Sequence, residues 1–312
     1  MTGIMTFNKQ VQLDACAKIN LFLDVAGRRP DGYHLLTGLM QSVSLADTVT
    51  LSITPSDKDR ICLTCSDGNL PTDRSNLAFR AAEVFLVRLH RDKYEVPAAR
   101  IDIHITKRIP YPAGLAGGSA DAAAVLRGLN LLSGFPLSTD ELEEAGSTLG
   151  ADIPFCIRGG TCRTEGVGNV LTSYHPMPDC DILIACAGEG ISTPSAYRKL
   201  DEAFDNFEQD SYKPHTEQLK EMITALDNDD LPGIGAYMFN LFESVILPEH
   251  ATAAKLRRIL SVSGALGAIM SGSGPSVFGL FPRNNAGAAY DILRAGGIPA
   301  WICHPTKENL QT

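Results

Sequence analysis

The sequence predicts an α+β protein with two domains, and three observations carry that prediction. Strand-like apolar patterns fill the first third of the chain, helical patterns gather later, and the regular strand–helix alternation of a parallel sheet is missing. The length of 312 residues suits one large domain or two ordinary ones. Hydrophobic residues at 44% and charged residues at 20% are enough to bury a substantial core.

Short apolar runs mark residues 11–23, and 48–54 alternates through Val49, Leu51 and Ile53. Residues 60–65 and 101–105 alternate in the same way. Between them, 76–90 carries Leu77, Ala81, Phe85 and Leu89 on one helical face. A glycine-rich turn over 110–119 leads into a helix predicted for 119–132, with Ser119 as its N-cap and Val125, Leu129 and Leu132 on one side. A short helix over 138–149 is closed by Gly150. The second half reads as a strand over 181–187, an acidic loop over 201–210, and helices over 216–226, 234–247 and 251–261. Strands at 268–270 and 277–281 flank a Ser/Gly turn, and a helix over 286–295 precedes a strand near 298–303. The domain division is expected between residues 160 and 180, with 1–163 on one side and 164–312 on the other.

Lys plus Arg total 27 against 36 for Asp plus Glu, a net charge of -9 that disfavours polyanion binding and excludes a nucleic-acid partner. Residues 1–14 contain no signal-peptide core, and no apolar run reaches the ~18 residues of a membrane span, so a soluble cytoplasmic protein without a membrane partner is expected. The eight cysteines then read as reduced thiols. Cys62-x-x-Cys65 is the single C-x-x-C pair, and its strand-like setting argues for packing; no metal site in the protein itself is predicted.

The chemistry concentrates in a few stretches. In Pro110-Tyr-Pro-Ala-Gly-Leu-Ala-Gly-Gly-Ser119 a strand runs through glycines into a helix. That arrangement offers backbone N–H groups and the positive end of a helix to a phosphate, with the Ser119 hydroxyl beside them. Neither G-x-x-x-x-G-K-[ST] nor G-x-G-x-x-G fits, and a tight packing turn is the alternative. Asp152, in Gly150-Ala-Asp-Ile-Pro154, is either a proton acceptor for a substrate hydroxyl or a turn aspartate bonded to backbone. Lys18 is a lone cation in an apolar strand, so it either faces water from an edge or needs a partner or ligand. Tyr33 and His34 suit stacking on and hydrogen bonding to a base, although the tetrapeptide Asp31-Gly-Tyr-His34 also reads as an ordinary turn. Ser271-Gly-Ser-Gly-Pro-Ser276 is a further turn able to approach a ligand.

Lys18, the 110–119 loop and the 271–276 turn, in this order, resemble the GHMP kinase superfamily. The match sharpens in Ala17-Lys-Ile-Asn-Leu-Phe-Leu23, Arg29-Pro-Asp-Gly-Tyr-His34, Gly150-Ala-Asp-Ile-Pro-Phe155, Glu165-Gly-Val-Gly168 and Met270-Ser-Gly-Ser-Gly-Pro275, spanning about residues 15–281. These resemble the branch that phosphorylates an alcohol carrying a cytidine diphosphate group, on the methylerythritol phosphate route to isoprenoids; Arg29–His34 is the part other branches lack.

The resemblance implies a ribosomal protein S5 domain 2-like N-terminal domain and a ferredoxin-like C-terminal domain. It implies ATP as phosphoryl donor, with Mg2+. Asp152 matches the catalytic base and Lys18 its partner. Asn76 and Lys107 fall at the adenine pocket, and Pro110, Ala113, Gly114, Leu115, Ala116, Gly117, Gly118, Ser119 and Ala120 at the rest of the ATP site. Asn20, Tyr33, His34, Tyr197, Ser271 and Gly272 match the substrate side, with Tyr33, His34 and Tyr197 around the cytosine. Two departures bear on ATP affinity and metal ligation. Ala116 and Ala120 replace a glycine and a serine of the usual Gly-Leu-Gly-Gly-Gly-Ser-Ser, and Asn240-Leu-Phe-Glu243 replaces Asn-Asp-x-Glu. The rivals are a homoserine or mevalonate kinase of the same superfamily, which needs no base-stacking pocket, and a silent nucleotide sensor, which needs neither Lys18 nor Asp152.

Overall fold

The computed structural model describes residues 9–91, 98–134, 136–186, 188, 190–207, 212–307 and 309. Two sheets organise it. The larger is built around a long antiparallel pair, β1 (Lys9–Arg28) and β2 (His34–Pro55). β4 (Ala99–Thr106) pairs with β2, and β3 (Arg60–Cys65) runs parallel to β4. β5 (Thr161–Glu165) pairs with a second stretch of β2 and with β6 (Val170–Ser173). The alternation in 48–54 and 101–105 has its expected cause: Val49, Leu51, Ile53, Ile101, Ile103 and Ile105 are all buried. α1 (Leu77–Arg91) and α2 (Gly117–Leu132) share the main core with them through Phe85, Leu89, Val125 and Leu129.

The smaller sheet has the order β11 (Ala300–Cys303), β7 (Asp181–Ala185), β10 (Val277–Phe281), β9 (Gly267–Met270), all antiparallel. With helices between β7 and β9 and between β10 and β11, this is the β-α-β-β-α-β plan of a ferredoxin-like domain. Its two faces separate by the strand period. Ile182, Ile184, Phe278 and Leu280 enter the main core, while Leu183, Ala185, Val277 and Phe281 pack with α9 (Ala251–Val262) and α10 (Gly287–Ala295).

Several expectations need correction. The helix predicted over 234–247 is three elements: α7 (Leu231–Tyr237), β8 (Phe239–Asn240) and α8 (Glu243–Ile246). Met238 takes extended angles, and Phe239 and Asn240 pair in parallel with Phe22 and Leu23 of β1. Sheet pairing outweighs the continuous helical pattern there. α4 (Ile153–Arg158) and α5 (Thr193–Ala203) were not foreseen, and both carry proline in their first turn. The loop expected over 201–210 therefore begins inside α5; residues 208–210, like 187 at the end of the predicted strand, lie outside the described residues. α3 (Thr139–Ser147) and α6 (Thr216–Asp227) stand close to their predicted bounds. The expected division at 163/164 falls inside β5, whose pairing continues to Ser173.

None of the eight cysteines forms a disulfide among the described residues. Cys62 and Cys65, three apart on β3, point to opposite faces and cannot converge on one metal ion.

Candidate active site

A cleft of about 920 Å³ opens where β1, the two glycine turns, α4 and α5 meet. β1 bulges between Cys16 and Lys18 and again between Asn20 and Phe22. Lys18 and Asn20, two residues apart, therefore share the face that lines the cleft. Lys18 is buried; its ammonium donates to Asn20 Oδ1 at 2.7 Å and stands 3.8 Å from Asp152 Oδ1. Among the described residues Asn20 is its one hydrogen-bond acceptor, so donors remain for an anion in the cleft. The water-facing edge reading is thereby removed.

Asp152 takes the N-cap position of α4, yet its side chain makes no capping bond. The carboxylate is 42% exposed and lines the cleft, which removes the alternative of a turn aspartate bonded to backbone. Tyr197 is close by: burial first, then the Asp152 charge, push its phenol well above the ordinary range.

The turn over 113–119 is held from both sides. The Lys18 N–H donates to Leu115 O at 3.1 Å, Ser271 Oγ donates to Gly114 O at 3.0 Å, and the Ser276 N–H reaches Ala113 O. At Gly114, with φ +73°, a Cβ would lie 2.4 Å from Ser271 O, so only glycine fits. Ala116 has φ 57° and ψ 30°, the left-handed region, and is itself the N-cap of α2. The helix thus starts two residues before Ser119, which corrects the expected N-cap. Ser119 lies in the first turn with its hydroxyl released from capping, beside the N–H groups of Gly117 and Gly118 that have no intrahelical partner. Pro110, Ala113, Gly114, Leu115, Ala116, Gly117, Gly118 and Ser119 all line the cleft.

On the opposite side, the 271–276 turn uses Gly272 and Gly274 at positive φ. Asn240 Nδ2 donates to Met270 O and Gly272 O, and Glu243 accepts from the Met270 N–H. The departure at 240–243 therefore keeps the two residues that pin this turn. Gly272 lines the cleft; Ser271 is fully buried and acts through Gly114.

At the far end His34 is buried, its ring stacked on Tyr197 with centroids 4.6 Å apart, while Tyr33 is 64% exposed at the rim. His34 Nε2 lies 2.6 Å from Asp201 Oδ1, and Arg28 Nη1 lies 3.5 Å from Asp201 Oδ2. Sequence reasoning missed Asp201 and Arg28. An acidic run next to a basic run reads as solvated surface, and no periodic signal marks the pair.

Three expected ATP residues sit outside this cleft. Ala120 is buried in the main core. Asn76 caps α1, its Oδ1 accepting from the Ala78 N–H at 2.9 Å and its Nδ2 donating to Pro71 O at 2.8 Å. Lys107 lines a second cavity of about 360 Å³ that shares Pro110 and Tyr111 with the cleft. Its ammonium bridges two buried carboxylates, Asp47 and Asp121. Among the described residues no group of three or more His, Cys, Asp or Glu gathers as a metal site, and no helix is long and apolar enough to cross a membrane.

Residues 76–160 match the pattern described as GHMP kinases N terminal domain, and 222–298 match GHMP kinases C terminal. The 4-diphosphocytidyl-2-C-methyl-D-erythritol kinase of Synechococcus sp. (strain JA-2-3B'a(2-13)) is 43% identical over 285 residues, 90% of this chain and 89% of the relative. The kinase of the same name from Synechocystis sp. (strain ATCC 27184 / PCC 6803 / Kazusa) is 39% identical over 316 residues, covering 96% and 97%. The crystal structure of a 4-(cytidine 5'-diphospho)-2C-methyl-D-erythritol kinase superposes with a TM-score of 0.73 at 30% identity, over 95% of this chain and 99% of that one. A more distant likeness is to the L. major mevalonate kinase, which shares the fold with a TM-score of 0.71 at 15% identity over the full length of both chains. With the glycine turn on a helix N-terminus and these relatives at near full length, the chain is an ATP-dependent kinase and belongs to the GHMP kinase family, in its 4-diphosphocytidyl-2-C-methyl-D-erythritol kinase branch.

Proposed function

We propose that this chain transfers the γ-phosphoryl group of ATP to the 2-hydroxyl of 4-diphosphocytidyl-2-C-methyl-D-erythritol, releasing ADP, in isoprenoid precursor synthesis. The observation that carries the reading is the buried Lys18 ammonium, with donors to spare, set 3.8 Å from an uncapped Asp152 carboxylate at the mouth of a phosphate-binding turn.

An alkyl alcohol is far too weak an acid to lose its proton to an ordinary carboxylate of pKa about 4 in the ground state. Asp152 instead orients the hydroxyl and takes the proton as the bond to phosphorus forms, in a loose transition state governed by positioning. Lys18 offsets negative charge on the moving phosphoryl group. The N–H groups of Gly117 and Gly118 and the Ser119 hydroxyl receive the phosphates. Lys107 is assigned to the adenine end, a reading supported by the second cavity, which it lines and which adjoins the cleft through Pro110 and Tyr111. Asn76 is assigned there on the family resemblance alone. His34, Tyr33 and Tyr197 take the cytosine, Asn20 and Gly272 the methylerythritol. A magnesium ion fits this set as a companion of the triphosphate. The Ser119 hydroxyl is the hard oxygen donor beside the phosphates, and the ion would neutralise β- and γ-phosphate charge.

Asp152→Asn is expected to lower kcat by roughly 10²–10⁴-fold while ATP affinity stays close to wild type. Steady-state ADP release and nucleotide titration check this. Near-normal turnover would remove Asp152 from the chemistry.

A further inference from the structure

The aromatic end of the cleft contains a hydrogen-bonded chain that the phosphoryl chemistry does not use. His34 opens β2 directly opposite Arg28, the last residue of β1. Its imidazole is 8% exposed, held flat against Tyr197 and edge-on to Phe207. Nε2 lies 2.6 Å from Oδ1 of Asp201, in the last turn of α5. Asp201 is itself mostly buried, and its other oxygen faces Arg28 Nη1 at 3.5 Å. Arg28 is fixed in turn: Nε donates to Gly32 O at 3.2 Å and Nη1 to Asn206 Oδ1 at 2.9 Å. Among the described residues no partner bonds to His34 Nδ1.

A carboxylate only accepts, so the hydrogen between His34 and Asp201 belongs to Nε2. Arg28 faces the other Asp201 oxygen, and an imidazole whose one hydrogen sits on Nε2 presents a bare lone pair on Nδ1. We infer that Asp201 is a positioning residue that fixes this tautomer of His34, so that Nδ1 accepts from the exocyclic amine of a 4-aminopyrimidine and rejects a 4-oxo one. The inference rests on the cytidyl reading of the same cleft. A 4-oxo ring would set an oxygen lone pair against the nitrogen lone pair, whereas the 4-amino ring supplies the matching donor. The arrangement is the one by which metal-bound histidines have one ring nitrogen set by the partner of the other.

Asp201→Asn separates this role from that of a strut between β2 and α5. Arg28 is a donor and takes the amide oxygen, leaving the amide NH2 to face Nε2. The ring hydrogen then moves to Nδ1, which now suits the 4-oxo ring. Two readouts follow. Ring ¹⁵N shifts of His34 should report hydrogen on Nε2 in the wild type and on Nδ1 in Asp201→Asn. The ratio of kcat/KM for the cytidyl alcohol to that for its uridyl analogue should fall on the order of tenfold or more in Asp201→Asn, mainly through KM, as one buried hydrogen bond is mispaired. Asp201→Ala, which dictates neither tautomer, should fall between the two in that ratio. An unchanged ratio with both substrates slowed equally makes Asp201 a strut and overturns the inference, as does hydrogen on Nδ1 in the wild type. If the wild type fails to phosphorylate the cytidyl alcohol, the substrate reading itself falls, independently of the tautomer.

Discussion

Ala116 holds a backbone angle, φ 57°, that a residue with a Cβ adopts at a cost of about 1–2 kcal/mol. Glycine at the same place avoids that cost but loses about 0.5–1 kcal/mol through the freedom of its unfolded chain. Ala116→Gly should therefore stabilise the fold by on the order of 0.5–1 kcal/mol. Urea unfolding checks this, and a destabilised variant would mean that the methyl group packs usefully. The departure from the glycine-rich pattern was legible in the sequence, but its angle was not. The same holds for Lys18 and Asp152. A lone lysine in an apolar strand declares that it needs a partner, yet only the β1 bulges and the α3–α4 connection bring that partner to 3.8 Å. Asp201 carried no such signal, because a carboxylate among others looks solvated until α5 turns it onto His34.

Among the elements, β2, the segment after β4 and α2 are tied by one buried cluster. Lys107 bridges Asp47 and Asp121, and Asp47 also accepts from the N–H groups of Arg108 and Ile109. Asp121 has less support: its Oδ1 is buried without a hydrogen-bond partner among the described residues. Burial pushes the Asp121 carboxyl up to about 7; Lys107 pulls against that shift and the Asp47 charge adds to it. With the folded value raised above the ordinary one near 3.9, the folded protein between about pH 4 and 7 keeps a proton that the unfolded chain has released. Asp121 therefore makes stability fall as pH rises through that window. Asp121→Asn should flatten the decline, seen as a smaller loss of urea resistance between about pH 5 and about pH 8; an unaltered slope would move its origin elsewhere. Helix periodicity located α1, α2, α6 and α9 well, since each buries an apolar stripe. It failed at 234–247, where Asn240 is used for sheet pairing and to hold Met270 O and Gly272 O.

For the molecule as a whole, the two sheets are interlaced rather than strung in series. β6 completes the edge at β5, and β8 returns from the second half to lie beside β1. A small core of Leu23, Val25, Ala196, Leu200, Phe242 and Met270 draws on β1, α5, the 240–243 segment and β9. The change of character from Asp181 onward pointed to two domains, but a two-residue strand such as β8 is too short to leave a pattern. A fragment of residues 1–163 is accordingly expected to lack a cooperative thermal transition, and a sharp transition by circular dichroism would show an autonomous fold. The long-range convergence of Lys18, Asp152, His34 and the two glycine turns on one cleft supports a single reaction. It is tested most directly by ATP-dependent ADP release with the cytidyl alcohol, homoserine and mevalonate in parallel, with the phosphorylated position assigned by NMR. Turnover of the cytidyl alcohol with phosphate on its 2-hydroxyl, and little turnover of the other two, is expected. Preferred turnover of homoserine or mevalonate, or phosphate on a different hydroxyl, would contradict it.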